Sequence, residues 1–99
     1  MPYLIIATDH TEDQALGRRL AARPDHLVNA KAMEAAGILQ LAAASVDADG
    51  KMTGSVLVLN VATADEASAI IESDLYWSSK VWASYTMQEI RVAIPSAHK

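Results

Sequence analysis

Tyr3, Leu4, Ile5, Ile6 and Ala7 form an apolar run that ends in the polar stretch Asp9-His10-Thr11-Glu12-Asp13. Such a run, rich in β-branched residues and closed by polar ones, predicts a strand over residues 3–8. Thr11 followed by acidic residues marks a helix start, where negative charge meets the positive end of the helix dipole. Pro24 interrupts the helix-permissive segment that follows, because proline lacks an amide donor and clashes with the preceding turn. The pattern therefore predicts a short helix before Arg23 and a main helix over residues 24–36, stopped by Gly37. Residues 38–45 read as a second strand, Asp47-Ala48-Asp49-Gly50 as a tight turn, and residues 54–61 as a third strand. Thr63 and Glu66 have the spacing of a capping box. They open a second helix with Ala67, Ile70 and Ile71 on its apolar face. A helical turn over 74–79 and a last strand over 85–94, ended by Pro95, complete the predicted elements. The domain is expected to span residues 1–95, with 96–99 a disordered tail.

The order β-α-β-β-α-β places the chain in the α+β class. It predicts a ferredoxin-like, four-stranded antiparallel sheet with both helices on one face. Val56, Leu57, Val58, Leu59 and Val61 put apolar groups on both faces of strand three, where a half-solvated strand should alternate. Helices cover only one face, so the other is expected to pack against a second copy, forming a homodimer sheet to sheet.

Ninety-nine residues allow a single domain, and 52% hydrophobic with 20% charged residues is a globular composition. The absence of cysteine removes disulfides, zinc-thiolate sites and thiol nucleophiles. A net charge of −4, with no aromatic residue on strand three, argues against nucleic acid as a partner. The apolar runs are too short to span a bilayer, and no signal peptide precedes them, so no membrane partner and a cytoplasmic location are expected.

His26 lies early in the main helix, and at about 100° per residue Ala30 and Met33 share its face. That placement suits a packed core histidine or a general acid/base at the rim of the core. Asp74 ends the apolar face of helix two and suits the N-cap of the following turn. Arg19 and Arg23, four apart, suit either surface ion pairing or a grip on a substrate carboxylate or phenolate. Tyr76, Trp77 and Trp82 suit packing, with one of them walling a pocket. His10, beside Asp9, is a rival base. No histidine spacing matches a metal site, and no glycine cluster matches a phosphate cradle.

Three pieces of the chain together resemble the YCII-related (YciI-like) family of small dimeric α/β-barrel proteins. They are Tyr3-Leu-Ile-Ile-Ala-Thr-Asp9, then Arg19-Leu-Ala-Ala-Arg-Pro-Asp-His-Leu27 with Glu34-Ala-Ala-Gly37, and Gly54-Ser-Val-Leu-Val-Leu continuing through Asp74-Leu-Tyr76 to Val92. The resemblance implies a His–Asp pair, here His26 and Asp74, in a cleft between sheet and helices. Arg19, Arg23, Asp9 and Tyr76 are implied as its substrate-binding neighbours. Leu75 stands where the family has proline, and Leu41-Ala-Ala-Ala-Ser45 replaces a Gly-Pro strand end. The implied function is a cofactor-independent enzyme of lyase or isomerase type. It would move a proton on a small anionic or cyclic oxygenated compound. The alternative is a non-catalytic dimer that binds a small ligand or assists a partner protein.

Overall fold

The computed structural model describes residues 1–95, so the expected tail at 96–99 lies outside the described residues. Its elements are β1 (Pro2–Asp9), α1 (Ala15–Ala35), β2 (Leu39–Val46), β3 (Met52–Asn60), α2 (Ala64–Ser73), α3 (Leu75–Ser78) and β4 (Trp82–Glu89). The strands form one sheet in the order β2-β3-β1-β4, antiparallel at every pairing. This is the ferredoxin-like arrangement that the element order implies.

Side chains alternate across a sheet, so the odd positions of β1 and β3 share one face. Tyr3, Ile5, Ala7, Ser55, Leu57 and Leu59 are all buried there. Ala67 and Ile71 of α2, Tyr76 of α3, and Val81 and Trp82 close the same core. The even positions face the other way. Leu41, Val58 and Leu4 lie side by side on that face, as do Ala43, Val56 and Ile6, and Ile6 is 44% exposed. Gly54 permits the close approach of β3 to β1, because a Cβ there would run into the Ala7 carbonyl.

Two expectations need correction. The first helix does not break at Pro24; α1 is continuous from Ala15 to Ala35. Ala15, Arg19, Ala22, His26 and Ala30 form one buried stripe at steps of three and four, which continues through the proline. Pro24 is exposed, so water can satisfy the Leu20 carbonyl that it leaves without a donor. The last strand begins at Trp82 rather than at Tyr85 and ends at Glu89. Asp9 pairs with Trp82 across a bulge, which draws Trp82, Ala83 and Ser84 into the sheet.

Local chemistry holds the ends of the helices. Thr63 Oγ1 accepts the Glu66 amide at 3.1 Å, and the Thr63 hydroxyl donates to the Glu66 carboxylate at 3.3 Å. Arg18 donates from Nε and Nη2 to the Lys80 carbonyl at 3.1 and 2.9 Å, tying α1 to the loop after α3. The same two elements also bring His26 of α1 to Asp74, which caps α3. Among the described residues, no helix is long and apolar enough to cross a membrane.

Candidate active site

Arg19 and His26 are seven residues apart on α1, two helical turns, so both point from the same stripe into the core side of the sheet. Asp9 ends β1 at the bulge, Ser55 sits on the inward face of β3, and Trp82 opens β4 opposite Asp9. Asp74 and Tyr76 come from the junction between α2 and α3.

His26 Nδ1 lies 2.8 Å from Asp74 Oδ1, with the two side chains 7% and 5% exposed. The same carboxylate oxygen accepts the Tyr76 amide at 2.9 Å and so caps α3. Leu75 takes the first helical position, the one where proline is tolerated because no partner is required of its amide. Leucine there leaves the cap intact. The imidazole stacks on the Tyr76 ring, with centroids 3.7 Å apart and planes 6° from parallel. Trp82 meets both rings edge-on, at 5.8 and 5.4 Å. Held by a carboxylate and two aromatic rings, the imidazole has one orientation. Nε2 has no protein partner among the described residues.

Arg19 is 3% exposed and already engaged. Its Nη1 donates to both oxygens of Asp9 at 2.9 Å, and Nη2 donates to Ser55 Oγ at 2.9 Å. Trp82 Nε1 donates to the same Ser55 oxygen at 3.0 Å. The guanidinium carbon sits 4.9 Å from the Tyr76 ring centroid. Burial pushes the Asp9 carboxyl above its ordinary value, and the Arg19 guanidinium opposes that shift. Burial also raises the Tyr76 phenol, against the pull of Arg19 and Arg23, so it stays protonated as a donor.

Arg19, Arg23, His26, Ala42, Ala44, Ser55 and Tyr76 line a cleft of about 100 Å³ between α1 and the β2–β3 pair. Small side chains at Ala42 and Ala44 keep it open where larger ones would fill it. Arg23 is exposed at its mouth and forms no ion pair among the described residues. A larger groove of about 190 Å³ runs past Leu27, Lys31, Glu34 and Leu41, whose side chains form no ion pair among the described residues. His10 lies elsewhere, exposed among Thr11, Glu12 and Asp47, with its amide bonded to the Val81 carbonyl.

Of the six residues implied as the site, Arg19, Arg23, His26 and Tyr76 line the cleft, and Asp74 stands behind His26. Asp9 reaches it through Arg19 and not directly. Trp82, expected to pack or wall a pocket, belongs to the same network, and so does Ser55, which was not singled out. The signal for Ser55 was available, since a serine at an inward position beside Leu57 and Leu59 is a polar group in an apolar row.

The model of the YCII-related domain family matches residues 1–91. No curated protein sequence matches the chain. Among solved structures, the chain resembles the 5-chloro-2-hydroxyhydroquinone dehydrochlorinase TftG of Burkholderia phenoliruptrix AC1100, solved in complex with 2,5-dihydroxybenzoquinone. The match has a TM-score of 0.80 at 23% identity, covering 92% of this chain and 94% of that one. At that identity the likeness shows a shared fold.

Proposed function

Since the chain belongs to the family of YCII-related domains, we propose that it is a small enzyme in which His26 moves a proton and Asp74 orients it. One observation carries this reading: the 2.8 Å contact commits Nδ1 to Asp74 and leaves Nε2, on a side chain that lines the cleft, without a partner among the described residues. In that arrangement Nδ1–H donates to the carboxylate, so Nε2 carries the lone pair. It takes a proton from the substrate as general base, and the buried carboxylate stabilises the imidazolium that forms. Returning the proton at another position gives isomerisation, and loss of a leaving group gives elimination. The chemistry draws on no cofactor.

The substrate of this reading is a small oxygenated compound, open-chain or cyclic, with an anionic group. The quinone bound by the structurally similar dehydrochlorinase is a compound of that kind. Arg19 is occupied by Asp9 and Ser55, which leaves Arg23 to hold the anion and Arg19 to shape the floor. Tyr76 walls the cleft and presents its phenol. We further propose that two copies pair through the open sheet face, where Leu4, Ile6, Val56 and Val58 lie together.

A screen of small organic acids and lactones for exchange of carbon-bound hydrogen in deuterated water tests the reading. His26→Ala should abolish the exchange while the variant stays folded. Exchange that persists in His26→Ala would remove His26 from the role, and a wild type that binds such compounds without exchanging them favours the non-catalytic dimer.

A further inference from the structure

Ser55 Oγ accepts two hydrogen bonds, from Arg19 Nη2 at 2.9 Å and from Trp82 Nε1 at 3.0 Å. A serine hydroxyl offers two lone pairs and one hydrogen. Guanidinium and indole are donors only, so both lone pairs are occupied and the O–H hydrogen points away from them. Among the described residues no group accepts it. Ser55 is 4% exposed and lines the cleft with His26, Arg23 and Tyr76. A buried donor without an acceptor is unfavourable, so the site is built to receive an acceptor oxygen at that point.

Around the same space, His26 presents a ring nitrogen and Arg23 a cation that have no partner among the described residues. A base that removes a proton from carbon needs somewhere for the electron pair to go. An oxygen held by a fixed donor meets that need, because the hydrogen bond strengthens as negative charge develops. We propose that Ser55 is a substrate-binding residue whose hydroxyl donates to the carbonyl oxygen of a small oxo acid, with the acid's carboxylate on Arg23. The proposal rests on the reading of His26 as the base and names the substrate class for it. In the step, the C–H bond next to the carbonyl breaks and its proton goes to His26 Nε2. The electron pair forms the carbon–carbon double bond of an enolate, and the carbonyl oxygen takes the charge against Ser55 O–H. The imidazolium then returns the proton. A cleft of about 100 Å³ limits the compound to a handful of heavy atoms.

Pyruvate is the probe, since it combines a carbonyl, a carboxylate and exchangeable hydrogens beside the carbonyl. Two readouts are taken together: exchange of its methyl hydrogens in deuterated water, and the two indole N–H resonances of the protein. Trp82 donates to the Ser55 oxygen, so a ligand that accepts from Ser55 polarises that bond and moves the Trp82 signal. Trp77 packs on Tyr85 and serves as the control. In the wild type, pyruvate should move the Trp82 resonance, leave Trp77 in place and exchange faster than in buffer. Ser55→Ala should lower exchange about tenfold and abolish the ligand-dependent movement, whereas Ser55→Thr, which keeps the hydroxyl, should restore both. If Ser55→Ala does not fold, Ser55→Cys, similar in shape but a weak donor, takes its place with the same expected loss. His26→Gln should keep the Trp82 movement and lose exchange. A Trp82 resonance indifferent to pyruvate overturns the proposal, as does a serine variant that exchanges like the wild type. Saturable movement of Trp82 without exchange in the wild type supports Ser55 and overturns His26 as base.

Discussion

Oδ1 of Asp74 lies 2.8 Å from Nδ1 of His26, a residue 48 positions earlier in the chain, and the same atom accepts the Tyr76 amide. One carboxylate therefore both caps a helical turn and faces an imidazole, two roles that its several lone pairs allow. The two roles separate on substitution. Asp74→Asn keeps a good capping side chain and should stay close to wild-type stability while proton exchange falls. Asp74→Ala loses the cap and leaves the imidazole without its partner, at a cost of about 1–3 kcal/mol. Chemical denaturation of the two variants beside exchange assays checks both halves.

Arg19 and Asp9 form a pair with side chains 3% and 9% exposed, so removing one partner strands a buried charge. Arg19→Met should cost about 3–5 kcal/mol at neutral pH. Without the guanidinium, burial is opposed only by His10 and drives the Asp9 carboxyl further above 3.8. A raised folded value means that the contribution is complete below the unfolded value and is lost as pH rises through the folded one. The variant should therefore lose stability, relative to wild type, on going from about pH 4 to neutrality. Urea unfolding across that range measures it, and a pH-independent deficit contradicts the account.

Two phenols set the alkaline limit. Tyr85 donates to Glu72 at 2.6 Å and that bond raises its value above 10.0, while burial raises Tyr76. Both contributions are complete below the unfolded value and are lost as pH rises through the folded ones. Stability should fall above pH 10, and Tyr85→Phe should remove part of that dependence. Ultraviolet titration of tyrosine ionisation, with unfolding followed in parallel, is the check.

The open sheet face predicts association. Ile6 is 44% exposed between Val56 and Thr86 on its neighbouring strands. Sedimentation at micromolar concentration should give a dimer for the wild type and a monomer for Ile6→Glu. A wild type that sediments as a monomer removes the sheet-to-sheet pairing.

Much of this arrangement was legible in the chain. Periodicity, the Thr63–Glu66 cap and the turn at Asp47–Gly50 place the elements, because each depends on near neighbours. Pro24 misled because its rule is local, while the outcome depends on which face the proline takes. The buried stripe through Ala22, His26 and Ala30 keeps α1 whole, and two polar members, Arg19 and His26, disguise that stripe as a broken pattern. The His26–Asp74 pairing came from likeness to a family; periodicity alone favoured a packed histidine. Ser55 stayed hidden because its meaning lies in two partners, Arg19 and Trp82, that are 36 and 27 positions away.

The central claim is that Asp74 fixes His26 with its proton on Nδ1 and its lone pair on Nε2. Heteronuclear NMR that correlates ring nitrogens with ring carbon-bound hydrogens reads this directly, since protonated and bare nitrogens resonate far apart. In neutral His26 of the wild type, Nδ1 should carry the hydrogen and Nε2 should be bare, and Asp74→Ala should release the ring to the other tautomer. A wild-type ring with its hydrogen on Nε2, unchanged by Asp74→Ala, would contradict the assignment of His26 as the base.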